Sequence, residues 1–451
     1  MTKDFKRQVI KMLIPMILQN IFAAMIGSVD VIMLNSVGQT AISAGSIATQ
    51  WSSIMFMFLF GSGSGAGLLA AQYFGKKNLD AIKAIEGIAL KVCLLVTGIF
   101  SLGALLIPEL MMRVYTTDPE IIKEGTKYLK IIWVSWIAQA FSYTYLSILR
   151  SLGRMTVSMV LNGIGFILNI ILNATFIFGF FGLPKMGITG VALASSISTS
   201  IVTILGCGFV SITSKDIKMK ISYMFIKSRI LTVDFFKMSV PALLNDVSWG
   251  LAFSMYVAIM GRLGSDVIAA NSIVSVVRQF GQTFCFAVAG VGAVVVGNLI
   301  GEGKLEEADQ GGKDFMKITV ITGFIGGLIV LISMPFVLKY AHISPLALHY
   351  LKWMMIINTY YIMGSAVNTT LIAGLFRSGG DTRFGLICDT IDMWGYGVLF
   401  GLFTAFVLKL PPLWVYFFLC LDEFVKWPWV LKKYKSKSWI KNITKDNVLD
   451  S

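Results

Sequence analysis

The sequence predicts an all-α polytopic membrane protein, with twelve transmembrane helices in two six-helix lobes related by pseudo-two-fold symmetry around a central cleft. Three observations predict this fold. The 451-residue chain is 56% hydrophobic and 14% charged, with a mean hydropathy of +0.77, whereas soluble proteins are about 25% charged. Many segments are long and apolar enough to cross a bilayer, and the second half of the chain repeats the first.

Each predicted helix is a run of mostly apolar residues, and about 20 such residues span a bilayer. The first run is too long, and matches a cleavage site too poorly, to be a signal peptide. We therefore expect it to be retained as the first anchor. In chain order, the predicted segments are 9–34, 43–74, 86–108, 128–149, 156–180, 187–212, 239–262, 267–299, 315–338, 350–375, 384–408 and 412–431.

Basic residues are unevenly distributed between the two sides of this topology. Of the 38 Lys and Arg residues, 28 fall on the side that carries both termini, 9 fall on the other side, and Arg278 lies inside helix 8. Positive charge favours the cytoplasmic side, so we expect a plasma-membrane protein with both termini in the cytoplasm. The net charge of +14 then reflects topology rather than nucleic-acid binding. The basic stretch 432–445 is predicted to be a solvated or lipid-facing tail.

The two halves of the sequence match when one is shifted by 226 or 227 residues. Pro15 meets Pro241, VGQTAISAGSI (37–47) meets LGSDVIAANSI (263–273), and LRSLG (149–153) meets FRSGG (376–380). Parallel six-helix repeats are a common transporter plan, with a binding cavity at their interface. The predicted divisions are an N-lobe (1–212), a cytoplasmic linker (213–238), a C-lobe (239–432) and a cytoplasmic tail (433–451).

No sequence pattern indicates an enzyme or a bound cofactor. There is no GxxxxGK[ST] phosphate-binding loop, and the glycine-rich stretch GSGSGAG (61–67) is typical of close helix packing. His342 and His349 have no partners at metal-ligand spacing. The five cysteines are scattered singly through apolar segments, so we expect neither disulfides nor a resident metal.

Polar residues in the first half converge on one depth of the membrane. Asp30 is the only acid in its apolar helix, and Asn169 and Asn173 share one face of helix 5 because they are four residues apart. Gln50 on helix 2 and Ser195 on helix 6 fall at a similar depth, given a rise of about 1.5 Å per residue. One carboxylate surrounded by neutral oxygens predicts a site for Na+ or H+.

The second half contains its own polar candidates. Asp246, which follows Asn245 on helix 7, lies at a similar depth to Asp389 and Asp392 on helix 11. Arg278 on helix 8 is in reach to neutralise one of these acids. Both a latching ion pair and a functional role remain open for them. Tyr256, the repeat equivalent of Asp30, is expected to flank the cleft together with Trp249, so the cation site should exist only once.

Several stretches resemble the multidrug and toxic compound extrusion (MATE) family, in order and across nearly the whole chain. The matching stretches are VDVIMLNSVG, GSGSGAGLLAAQYFGKKN, LNIILNATFIFGFFGLPKMGITGVALASSIS, VPALLNDVSWGLAFSMYVAIMGRLGSDVIAANSI, FRSGGDTRFGLICDTIDMW and DEFVKWPWVLKKYKSKSWI. The resemblance implies a monomeric twelve-helix exporter of amphipathic, often cationic, organic compounds. It also implies that inward movement of Na+ or H+ drives export.

The resemblance assigns the cation site to Asp30, to the pair Asn169 and Asn173, and to a hydroxyl on helix 6. Where relatives have a glutamate on helix 7, this chain has Asp246, and helix 10 lacks the acid that some branches use. A lipid-linked precursor flippase of the same superfamily is the main alternative, but such proteins often carry arginine clusters in the cavity, and Arg278 stands alone here. A channel and a receptor or scaffold are further alternatives, for which no pore-helix motif or signalling domain is visible.

Overall fold

The computed structural model describes residues 3–35, 37–182, 184–214 and 217–449, without the side chains of a few positions that include Asp30. Over these ranges the regular elements are all helical, which confirms the predicted all-α class. The long helices are α1 (Lys3–Asn35), α2 (Gln39–Gly75), α3 (Leu79–Leu106), α4 (Pro119–Ser151), α5 (Met155–Phe178), α6 (Ile188–Thr213), α7 (Arg229–Gly261), α8 (Ser265–Gly301), α9 (Leu305–Tyr340), α10 (Pro345–Asn368), α11 (Thr382–Val407) and α12, which is divided into Pro412–Leu419, Asp422–Val425 and Trp427–Lys435.

Nine helices within the described ranges are long and apolar enough to cross a membrane. The exceptions are α4, α10 and α12. Charged residues crowd the first turns of α4 (PEIIKEGTKYLK), while tyrosine and asparagine lower the hydropathy of α10. α12 is interrupted after Leu419 and again after Val425. Several helices also contain wider π-helical turns, at Ile204–Val210, Thr369–Phe376, Ile391–Val398 and Phe403–Val407.

The backbone reproduces the internal repeat that the sequence predicts. α2 and α8 each contain 37 residues. They are preceded by the repeat equivalents Gly38 and Gly264, whose φ angles are 129° and 138°. Glycine adopts such positive φ angles without strain. Equivalent glycines therefore start equivalent helices in the two halves.

The chain separates into two compact units. The first-half unit contains Leu18–Ser239 and Lys445–Ser451, and the second-half unit contains Met1–Ile17 and Val240–Thr444. α1 continues through Pro15 and α7 through Pro241, so each of these helices passes from one unit to the other close to its proline. Each unit has its own apolar core, around Trp136 in the first and around Tyr361 in the second.

The segment that follows α12 is packed, which corrects the expectation of a solvated or lipid-facing tail. Trp439 is 0% exposed and its ring lies against the ring of Phe376, with 6.2 Å between centroids. Farther along, Lys445 pairs with Asp234 at 2.6 Å, and Val448 is buried. Apolar side chains therefore anchor this basic stretch.

Candidate functional site

A buried polar group lies between α5 and α6 of the first-half unit. The Asn173 side-chain amide donates to Oδ1 of Asn169 at 3.0 Å, and the Asn169 amide donates to Oγ of Ser195 at 3.2 Å. Asn169 and Asn173 are 3% and 0% exposed. The structure therefore brings together three of the five residues that the sequence singles out in this half.

The helix geometry explains this arrangement. Four residues separate the two asparagines, so they stand one above the other on the face of α5 that packs against α6. Buried amides need hydrogen-bond partners because an unpaired polar atom away from water is costly. The resulting row offers amide and hydroxyl oxygens, which are hard neutral ligands suited to Na+ or to hydrogen bonding with a carboxyl group.

The other two candidates of the first half lie differently. Asp30 is near the end of α1, and its side chain is outside the part of the chain that the structure describes. Gln50 has an exposed side chain on α2. Among the described side chains, the buried group consists of Asn169, Asn173 and Ser195.

A cluster of charged side chains is buried in the second-half unit, around the ammonium group of Lys426 on α12. The Lys426 Nζ atom lies 3.1 Å from Asp389, 3.7 Å from Asp392 and 3.4 Å from Glu423. Asp389 and Asp392 are three residues apart on α11 and face the same partner, as their spacing predicts. This cluster gathers three carboxylates around one cation, and all four side chains are at least nine-tenths buried.

Hydrogen-bond donors hold two acids of α12 in place. Glu423 accepts from the Asn368 amide at 2.6 Å and from the Tyr361 hydroxyl at 3.4 Å. The neighbouring Asp422 accepts from the Tyr256 hydroxyl at 2.9 Å. Tyr256, which the sequence predicts to flank the cleft, is a buried donor to this carboxylate.

The remaining candidates of the second half, Asn245, Asp246 and Trp249, lie on α7. Asp246 pairs with Arg377 at 2.9 Å. The ring of Trp249 contacts that of Phe253, with 4.3 Å between centroids and an angle of 54° between the ring planes. Asn245 is buried on α7.

The sequence places Arg278 in reach to neutralise one of Asp246, Asp389 and Asp392 and leaves its role open. The structure gives these acids other partners. The guanidinium of Arg278 lies over the ring of Phe253, 4.8 Å from its centroid, and 5.6 Å from that of Tyr361. Stacking of this kind stabilises a cation in surroundings that hold little water.

Sequence reasoning missed Asp422, Glu423 and Lys426. Their signal is the pattern DEFVK, which places three charges in five residues inside the predicted segment 412–431. Lys426 is 3% exposed. Over the described residues, no group of three or more His, Cys, Asp and Glu side chains is arranged to hold a metal ion.

Comparison with known proteins identifies the family. The MatE family model matches residues 15–175 and 241–403, one stretch in each half of the chain. The chain belongs to the MatE family. This is the family that the sequence motifs resemble.

Similar MatE proteins extend over most of this chain. YisQ of Bacillus subtilis, an uncharacterised transporter, is 21% identical over 426 residues, which cover 92% of this chain and 90% of YisQ. Multidrug resistance protein MdtK of Photorhabdus laumondii is 24% identical and covers 90% and 88% of the two chains. The family match and these relatives together support a multi-pass membrane protein.

Solved structures of MOP superfamily transporters share the fold. A multidrug resistance MATE transporter of the MOP superfamily, in an outward-facing conformation, aligns with a TM-score of 0.86, 17% identity and 96% coverage of both chains. A MOP superfamily transporter from Pyrococcus furiosus, described as having a binding pocket of reverse polarity, aligns with a TM-score of 0.84 and 17% identity over 96% of both chains. At such identities the likeness establishes the fold alone.

Proposed function

We propose that this protein is a multidrug efflux transporter that exports amphipathic, often cationic, organic compounds in exchange for inward-moving Na+ or H+. The observation that carries the proposal is the MatE match in both halves of the chain. It is supported by relatives named as multidrug resistance proteins that match about nine-tenths of the sequence. The protein would act as a monomer in the plasma membrane, with both termini in the cytoplasm.

In the proposed mechanism, Asp30 is the coupling residue. Burial of an isolated carboxylate in the bilayer costs ~2.5 kcal/mol or more. Binding of a cation neutralises the charge and so reduces this unfavourable free energy. Asn169, Asn173 and Ser195 supply neutral oxygens from α5 and α6. Neutralising Asp30 lets α1 repack, and this change reduces the affinity for the organic compound on the outer side.

Alternating access completes the cycle. The two units open outwards to release the compound and to accept the cation, then open inwards to release the cation and to bind the next compound. The cation gradient supplies the free energy, because its binding favours one of the two conformations over the other.

The decisive experiment measures efflux of an ethidium-like dye from vesicles under an imposed Na+ or H+ gradient. We expect Asp30→Asn to insert normally and to abolish gradient-driven efflux. Glu109→Gln changes an exposed acid on the short helix Pro108–Arg113 and should transport normally. Normal efflux by Asp30→Asn would contradict the mechanism, whereas gradient-independent flipping of a lipid-linked precursor would favour the flippase.

A further inference from the structure

A cavity of about 460 Å³ reaches the charged cluster of the second-half unit. Asp392 and Lys426 line its polar part, while Tyr396, Phe400, Phe403 and Trp429 line its apolar part. Trp429 is half exposed, so the cavity opens at the surface of the unit. The cavity therefore borders the Asp392 carboxylate and the Lys426 ammonium, which are otherwise buried.

The acids of the cluster outnumber the bases. Asp389, Asp392 and Glu423 surround Lys426, and Asp422 adjoins Glu423 along α12. One ammonium group balances one carboxylate, and buried charges that remain unbalanced are strongly unfavourable. A cluster of this composition therefore favours uptake of positive charge.

The surroundings add one further cation, Arg278, within electrostatic reach of Asp422. The other titratable groups around the cluster are tyrosines and cysteines, which are neutral near pH 7. They are Tyr256, Tyr360, Tyr361, Tyr396, Tyr416, Cys285, Cys388 and Cys420. Four acids thus face two bases, and the excess of negative charge remains.

Hydrogen bonding distinguishes Asp392 from the other three acids. Asp422 and Glu423 accept from hydroxyl and amide donors, and Asp389 accepts from the Lys426 ammonium. Asp392 is 4% exposed, and among the described residues neither of its carboxylate oxygens has a donor within hydrogen-bond distance. Its ion pair with Lys426 is also the longest of the three around that ammonium. Asp392 is therefore the acid whose charged form is stabilised least by its neighbours.

We propose that Asp392 is a second cation site of this protein, which binds a proton that enters through the cavity. The carboxylate takes one proton from water to become a neutral carboxylic acid, and releases it by the same route. Lys426 occupies the position between the carboxylates where a metal ion would bind. Na+ needs several oxygen ligands around it, whereas a proton needs only one carboxylate oxygen, so a proton is the cation that fits. The coupling of this proton to export rests on the proposed function, whereas its binding does not.

The internal repeat gives this site a counterpart in the first half. A shift of 227 residues places Asn169 on Tyr396, Asn173 on Phe400 and Ser195 on Asp422. The cavity of the second-half unit thus corresponds in sequence to the polar group between α5 and α6. In the first half the acid is on α1, whereas in the second half the acids are on α11 and α12.

The test uses infrared difference spectroscopy of the purified full-length protein between mildly acidic and mildly alkaline buffer. All variants carry Asp30→Asn, which removes the Asp30 carboxyl group. Isotope labelling of aspartate separates the aspartate bands from those of glutamate. We expect a protonated-carboxyl band that is lost in Asp392→Asn. Asp246→Asn is the matched control, because its carboxylate is paired with Arg377 outside the cavity, and it should keep the band.

Three outcomes would overturn the proposal. The first is an unchanged band in Asp392→Asn. The second is a band that responds to Na+ at constant pH, which would indicate a metal-ion site. If Asp392→Asn fails to fold, Lys426→Gln replaces it. Removal of the ammonium favours the protonated acid, so the protonated-carboxyl band should then disappear at a higher pH. Absence of that shift is the third outcome. Dye efflux is measured separately, so proton binding at Asp392 can be assessed even if the transport proposal fails.

Discussion

At the residue scale, Asn169 holds the buried polar group of the first half together because it both donates and accepts. Its amide nitrogen donates to Ser195, and its oxygen accepts from Asn173. Ser195 takes part in only the first of these two bonds. The two residues are therefore unequal, although sequence analysis assigns them the same role.

We predict that Asn169→Ala destabilises the protein about twice as much as Ser195→Ala. Hydrogen bonds between membrane helices contribute on average about 0.6 kcal/mol each, so Ser195→Ala should cost about that amount. Unfolding in detergent measures both free energies, and the double variant tests whether they share one bond. Equal losses from the two single variants would contradict the central position of Asn169.

The sequence could identify which residues of the second half are unusual, but not what they contact. Spacing predicted that Asp389 and Asp392 share one face of α11, and an acid in an apolar helix is conspicuous by itself. Their base could not be predicted, because Lys426 lies beyond a break in α12 and joins the acids only through tertiary packing. Arg278 is the base that the sequence offers for these acids, but in the structure its guanidinium lies against the rings of Phe253 and Tyr361.

At the element scale, the FRSGG segment between α10 and α11 is a docking surface for the chain that follows α12. A Cβ atom on Gly379 would lie 1.7 Å from the backbone oxygen of Trp439. The Trp439 ring also lies against Gly312 on α9. Close backbone approach therefore accounts for a glycine that the sequence analysis noted only as part of a repeat.

We predict that Gly379→Ala destabilises the protein by about 1–3 kcal/mol, the usual cost of overpacking, and frees residues 436–444 for proteolysis. Gly98→Ala is the matched control, since a Cβ atom there meets nothing within 4 Å. Within α3 that change should be neutral or stabilising by up to about 1 kcal/mol. Thermal unfolding and limited proteolysis measure both effects, and equal behaviour of the two variants would contradict this docking surface.

At the scale of the whole molecule, the sequence predicted the internal repeat, whereas only the structure shows that α1 and α7 each contribute to both units. Equivalent glycines and equal helix lengths follow directly from the repeated sequence. The unit boundaries fall inside α1 and α7. Each of these helices has 33 residues and is about 50 Å long, so its two ends are far enough apart to pack against different neighbours. A hydropathy pattern contains no information about those neighbours.

The number of membrane crossings decides on which side each terminus lies. An even number places both termini on one side, whereas crossing by only the nine helices that qualify by length and composition would place them on opposite sides. An excess of Lys and Arg on one side marks the cytoplasmic side. The predicted excess holds only if α4, α10 and α12 cross the membrane as well. Packing inside each unit allows this, because helices shielded by protein need less apolar surface than helices that face lipid.

We predict that reporters fused to the N-terminus and to the C-terminus both lie in the cytoplasm. A fluorescent protein that matures only in the cytoplasm and a phosphatase that is active only outside provide opposite signals at each position. A reporter inserted between α9 and α10, near residue 343, is the control and should lie outside. Termini on opposite sides would show an odd number of crossings. They would also place one end of each repeat in the wrong compartment, so the two halves could not be parallel repeats in the membrane.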